Sequence, residues 1–213
     1  AAAVQKAGAR AALVHADLAR EDEVAGLVGR AAAQLGAPIT LLVNNASTFE
    51  HDDVASATRA SWDAHLEPNL RAPFVLTQEF ARQLPPDAHG NVVNLLDQRV
   101  WNLTEHFMSY TVSKAALYTL TQTLALALAP RIRVNGIGPG PALANVRQTP
   151  AHFADQCASM PLQRGTSPEE ICRALRFILS APSMTGQMIA LDGGQHLSWA
   201  PRSEEHTSEL QSR

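Results

Sequence analysis

Three short apolar runs, each closing in a polar or glycine-rich turn and separated by long helical stretches, constrain this chain more than any other feature. Residues 39–43 run into Asn44-Asn45-Ala46, residues 91–96 into Asp97, and residues 132–137 into Gly138-Pro139-Gly140. Apolar runs of this length, bounded by turn signals, read as buried strands. Strands alternating with helices imply a parallel sheet covered on both faces, an α/β Rossmann-type doubly wound fold. Ligands of such sheets bind outside the carboxyl ends of the strands. Asn44, Asp97, Pro139 and Gly140 all fall at those ends.

The rest of the pattern fills in this frame. Residues 11–16 read as a further strand ending in Asp17, followed by a helix over about residues 21–35. A loop over residues 47–53 leads into a long helical region that Pro68 and Pro73 interrupt. Proline removes a backbone donor and crowds the preceding turn, so a break or kink is expected there. Residues 108–129 form the most unusual segment. Between Tyr110 and Ala129 the only charged residue is Lys114, and alanine, leucine and threonine cover every face. A helix apolar all round must be covered on more than one side. The sheet provides one cover and a second copy of the chain the other, so a homo-oligomer, dimer or tetramer, is expected. Residues 141–165 make a long connection after a strand end, the kind of loop that serves as an active-site lid. A last helix starts after Thr166-Ser167, with Pro168 in its first turn and Glu169-Glu170 near its positive end.

Chemistry concentrates in Tyr-Thr-Val-Ser-Lys, residues 110–114, with Asp97 thirteen residues before the tyrosine. Residues at i and i+4 share one helix face, so the phenol and the ammonium point into one pocket. An ordinary tyrosine, with a pKa of about 10, exchanges its proton poorly at neutral pH. A fixed cation nearby favours the phenolate and is expected to lower that value. The pair is then a proton donor beside a reducible C=O or C=N bond.

With Asn44-Asn45-Ala46, Asn69, Tyr110 and Lys114, Pro139-Gly140 and Asp192-Gly193-Gly194 in this order, the chain resembles the short-chain dehydrogenase/reductase family over roughly residues 1–200. The resemblance implies hydride transfer from a nicotinamide dinucleotide. It makes Tyr110 the acid and Lys114 both its tuning cation and the holder of the nicotinamide ribose. It assigns Asn69 to a water that links the lysine to solvent, Asp17 to the adenine amino group, and Asn44, Ala46, Ser47, Pro139 and Gly140 to the cofactor. Asp97 departs from the family pattern, which has serine there as a hydroxyl donor to the substrate carbonyl. A carboxylate donates only when protonated, and it opposes negative charge gathering on a ketone oxygen. It suits a proton relay, or pairing with an N–H-rich heterocycle. The pteridine reductases are similar at three points: aspartate here, serine at position 47 in place of glycine, and an aromatic two residues later, Phe49. In that branch the serine contacts cofactor and pterin, and the ring stacks on the flat pterin. The expected substrate is therefore a dihydropterin-like C=N compound, with Ser47, Phe49, Asp97 and Tyr110 around it and NADPH as reductant, NADH remaining open. Two other readings are a ketone or imine reductase that shares Asp97 by chance, and a catalytically idle nucleotide-binding scaffold.

Composition narrows the field from the other side. A net charge of −3 supplies no basic field for nucleic acid, and aromatics make up only 5% of the chain. Apolar runs are too short to span a membrane, and Cys157 and Cys172 form neither a CxxC pair nor a disulfide framework, which suits the cytoplasm. No metal site is expected, because the histidines show no ligand spacing. The chain opens without methionine on an alanine-rich stretch that reads as the tail of a helix, and it contains no GxGxxG. It is expected to be a single domain over residues 1–200 that lacks the family's first strand, glycine-rich loop and second strand. Residues 136–140 are no substitute for that loop, because they lead into Pro141 rather than a helix N-terminus. Residues 202–213 (RSEEHTSELQSR) show no periodicity and read as a non-native tail. On this reading the chain alone binds no dinucleotide and is inactive.

Overall fold

The computed structural model describes residues 1–144 and 148–197; the tail at residues 202–213 lies outside the described residues. After α1 (Ala2–Lys6) the chain follows an extended path through residues 11–16 that joins no sheet. The strand expected there is not formed. Three of its six residues are alanine, a weak strand former, and Leu13 stays 75% exposed, so little apolar surface rewards pairing. The single helix expected over residues 21–35 is also two, α2 (Glu21–Val24) and α3 (Leu27–Leu35). Gly26 between them takes a left-handed φ of 78°, open to glycine and strained for other residues.

The strand β1 (Leu41–Asn44) comes next, and Thr58 then caps α4 (Arg59–Leu66). The Thr58 hydroxyl accepts the Ser61 N–H while the Ser61 hydroxyl accepts the Thr58 N–H, a reciprocal capping box. The expected interruption at the prolines is a π-helical turn, Glu67–Arg71, which passes directly into α5 (Ala72–Gln83). Pro68 cannot donate to the helical ladder, and the widened turn absorbs that loss. From α5, Glu79 reaches back to accept the N–H groups of Gly26 and Val28, placing a carboxylate at the positive end of α3.

Strand β2 (Gly90–Leu95), α6 (Met108–Leu128), β3 (Ile132–Pro139), α7 (Pro150–Ala158), α8 (Pro168–Ser180) and β4 (Met188–Leu191) complete the order. The stretch expected to be an uninterrupted connection, residues 141–165, contains α7. Thr149 caps that helix through the His152 N–H, and Pro150 fits its first turn, which lacks donor partners in any case. Its ends are drawn together where the Thr166 N–H donates to the Pro141 carbonyl, 2.9 Å.

The four strands form one parallel sheet in the order β1-β2-β3-β4, the Rossmann-type arrangement the alternation implied. Alternate residues of β2 and β3 serve opposite faces. Val92, Ile132 and Val134 pack with Phe80, Leu124 and Ala125 of α5 and α6. Val93, Leu95 and Ile137 pack with Ala174 and Ile178 of α8. Where β3 passes the end of β2, a side chain on Gly136 would come within 2.4 Å of the Leu96 methyl group, so any larger residue would have to displace that side chain. Among the described residues no helix is long and apolar enough to cross a membrane, and no cluster of ligating side chains could hold a metal.

Candidate active site

The carboxyl ends of β1 and β2 are tied to the helix that carries Tyr110. Asn44 and Asn94 are register partners, and the Asn44 amide donates to Asn94 Oδ1 at 2.8 Å. Asn94 in turn donates to the Thr121 hydroxyl of α6 at 2.9 Å. Asn44 Oδ1 is buried with no hydrogen-bond partner, an acceptor that a bound ligand's donor would satisfy.

Tyr110 and Lys114 lie one turn apart on α6 and both are buried. The Tyr110 hydroxyl donates to Asp97 Oδ2 at 2.8 Å. The other carboxylate oxygen accepts the Arg99 backbone N–H at 2.8 Å, capping the 3₁₀ turn Gln98–Val100 and fixing the carboxylate's direction. The Lys114 ammonium donates to the Leu95 carbonyl at the end of β2, 2.8 Å, and lies 5.8 Å from the centre of the Tyr110 ring. Burial lowers the Lys114 pKa to about 8 against the pull of Asp97, which favours the charged form. Tyr110 moves the other way. Burial, then the charge and hydrogen bond of Asp97, push its pKa well above the ordinary value, while Arg99 opposes them weakly. The expectation of a lysine-lowered tyrosine is therefore corrected. In this arrangement the phenol is a firmly protonated acid, because burial first, and the Asp97 carboxylate second, disfavour the phenolate.

Asn69 projects from the π turn and pins the loop after β1. It accepts the Thr48 N–H at 2.8 Å, donates to the Thr48 carbonyl at 2.9 Å, and reaches the Ser113 hydroxyl at 3.1 Å. Ala46 and Ser47 stand exposed at the strand end, and Phe49 turns inward, its ring edge-on to Tyr110 at 4.6 Å. Phe49, Asp97, Arg99, Pro139, Gly140 and the first residues of the 141–165 connection line a cleft of about 230 Å³. Asp17 does not line it. That residue is exposed in a local turn, with Oδ1 accepting the Ala19 N–H at 2.9 Å.

Sequence reading overlooked Phe107 and Arg99. The Phe107 ring lies parallel to Phe49 at 4.4 Å, and the Arg99 guanidinium sits 4.9 Å from the centre of Phe107 and 5.6 Å from that of Phe49. Their only signal is nearness in sequence to Tyr110 and Asp97, and side-chain direction in a loop carries no periodicity. A buried trio of Asp52, His65 and Ser109 was also missed. It is not a hydrolytic triad: Ser109 sits between the other two, donating to Asp52 and contacting His65 Nδ1, and His65 Nε2 is occupied by a backbone N–H.

The family model described as enoyl-(acyl carrier protein) reductase matches residues 1–196. Galactitol 2-dehydrogenase (L-tagatose-forming) of Cereibacter sphaeroides is 32% identical over 202 residues, covering 90% of this chain and 79% of that protein. The chain belongs to the short-chain dehydrogenase/reductase family. Within the family, the crystal structure of FolM alternative dihydrofolate reductase 1 from Brucella suis in complex with NADP superimposes with a TM-score of 0.89 at 49% identity, over 93% of this chain and 79% of that one. The Brucella canis structure of the same name, also complexed with NADP, gives 0.86 at 47% identity over 93% and 78%. These neighbours fit the pteridine-reductase-like branch of the short-chain reductases, to which Ser47, Phe49 and Asp97 pointed. The chain is thus a nicotinamide-dependent short-chain reductase.

Proposed function

We propose that this short-chain reductase reduces the C=N bond of a dihydropterin-like substrate with NADPH. The hydrogen bond from Tyr110 to Asp97, in a cleft walled by Phe49, carries this reading, because it puts a carboxylate where a ketone reductase needs a neutral donor. NADPH, when bound, supplies the hydride. Lys114 has ammonium protons beyond the one given to Leu95 and would hold the nicotinamide ribose, and the unpartnered Asn44 Oδ1 fits a donor on the same ligand. Ala46, Ser47, Pro139 and Gly140 lie along the same strand ends, and Asp17 would take the adenine. The NADP complexes of the Brucella relatives support the choice of NADPH.

The proton requirement follows from the residues. A nitrogen gaining a hydride on its partner carbon must gain a proton, and Tyr110 holds one against Asp97, which lines the cleft. Asp97 accepts from the phenol at rest and would pass to the phenolate left after transfer a proton taken up from solvent, with the Lys114 charge nearby steadying the exchange. Asn69 serves by anchoring Thr48, and with it the loop that bears Ser47 and Phe49. A homo-oligomer formed through α6 belongs to the same reading, supported by Val112 and Leu126 standing 40% and 83% exposed on that helix. A cytoplasmic setting is supported by two unpaired cysteines.

Asp97 variants of the full-length protein provide the test. Asp97→Asn keeps the shape but cannot take and return a proton, so dihydropterin turnover should fall ~10²–10⁴-fold with NADPH affinity little changed. Asp97→Ser restores a hydroxyl donor and should gain ketone reduction while losing pterin reduction. Parental pterin rates in both variants would make Asp97 a structural residue and remove the basis of the assignment.

A further inference from the structure

Phe107 has a backbone that its side chain does not favour. It is a bulky residue in the left-handed region, φ 57° and ψ 46°, at the N-terminus of α6. Bulky side chains are rare there, and such outliers persist only where the surroundings enforce them. Here the enforcing contacts are visible. The Phe107 N–H donates to the Asp52 carbonyl at 2.7 Å, and the Met108 N–H to the same oxygen at 3.3 Å. The Asp52 carboxylate accepts the Ser109 N–H at 3.1 Å and the Ser109 hydroxyl at 2.5 Å, so both sides of Phe107 are tied to one residue. His65 Nδ1 closes the network on the Ser109 oxygen at 2.7 Å, and His65 Nε2 accepts the Glu50 N–H at 2.9 Å. Asp52, His65 and Ser109 are each no more than 1% exposed.

The hydrogen bonds also decide the protons. Nε2 accepts, so the neutral ring carries its hydrogen on Nδ1 and donates to Ser109 or to the Ser61 carbonyl at 2.9 Å. The serine hydroxyl then gives its own hydrogen to Asp52. Burial pushes the Asp52 carboxyl upward, but the Ser109 bonds outweigh it and hold it below the usual carboxylate value. The network therefore joins the loop at residues 47–53, α4 and the start of α6, and the first and last of these carry the Phe49–Phe107 pair.

We propose that Asp52, Ser109 and His65 are positioning residues that hold Phe107 in its left-handed backbone and so set Phe49 as a platform for a flat substrate ring beside Tyr110. This deepens the proposed function and depends on it. None of the three lines the cleft, so each acts through the aromatic pair. Breaking the network would let Phe107 relax to an ordinary backbone and carry its ring from beneath Phe49. The chemical step, set by Tyr110, Asp97 and Lys114, would be spared.

The experiment is steady-state kinetics with dihydropterin and NADPH on the full-length protein. Ser109→Ala should raise the KM for pterin ~10-fold with kcat nearly unchanged, the pattern of lost uniform binding. NADPH affinity, read by fluorescence titration, should stay as in the parent and confirms a folded site. Phe107→Gly adopts the left-handed backbone freely but lacks the ring, so it should raise KM similarly. Adding Ser109→Ala to Phe107→Gly should then change nothing, since the network has no ring left to hold. If Ser109→Ala does not fold, Asp52→Asn, which keeps size and one acceptor oxygen, takes its place in the same cycle. An equal KM increase from the serine change with and without the Phe107 ring would overturn the proposal, as would a loss confined to kcat or no effect at all. A parent inert toward dihydropterin would instead overturn the functional reading beneath it.

Discussion

At the scale of single residues the candidate site pairs a phenol whose proton a carboxylate accepts with a lysine stripped of water. Lys114 has a pKa of about 8 in the folded chain against about 10.5 when unfolded. Between those values the unfolded chain binds more protons, so stability rises with pH across that window. From pH 8 to pH 10 the rise attributable to this residue should be about 2 kcal/mol. Urea titrations of parent and Lys114→Met at those two pH values check it: the parent should gain relative to the variant, and parallel behaviour would mean the lysine is well hydrated. Tyr110 acts oppositely, but only above pH 10. There the unfolded phenol ionises while the buried one keeps its proton, so stability falls.

At the scale of elements, α6 gives the sharpest predictions. Leu124 and Leu126 are both apolar, and sequence alone treats them alike as interface residues. In the fold Leu124 is 9% exposed and packs into the core with Phe80 and Val92, whereas Leu126 is 83% exposed. Leu124→Asp should unfold the subunit itself, because it buries an unpaired charge. Leu126→Asp should leave the melting temperature of the subunit nearly intact and abolish the oligomer in light scattering. An unchanged mass for Leu126→Asp would leave that face of α6 uncovered by a second copy. The same comparison shows what could be read from the sequence. Strands 39–43, 91–96 and 132–137 and the helix at 108–129 were legible because buried, periodic segments carry their own signal. The strand at 11–16 was misread because its place in the alternation was weighed above its alanine content, which rewards pairing little. The break at Gly26 was missed because one glycine is compatible with a helix until its φ is known. Gly26→Ala should cost about 1 kcal/mol for the left-handed backbone, measurable as a lower urea midpoint.

For the whole molecule, a parallel sheet and two helical layers bring together residues as far apart in sequence as Phe49 and Gly140, and the cleft they line is a property of the fold rather than of any motif. Asp97, Tyr110 and Lys114 could be found beforehand because strand end and helical spacing fix where they point. Phe107 and the Asp52–Ser109–His65 network could not, because they depend on loop backbone and on contacts between distant segments. The family itself spans several chemistries, including a galactitol 2-dehydrogenase among the relatives of this chain, so fold and cofactor leave the substrate to the cleft. The most direct measurement is NADPH oxidation by the full-length protein with a dihydropterin such as dihydrofolate, set against a ketone panel that includes L-tagatose. A site built to match an N–H-rich ring should favour the pterin by at least ~10²-fold in kcat/KM. Comparable or faster turnover of a ketone would contradict the account at its centre.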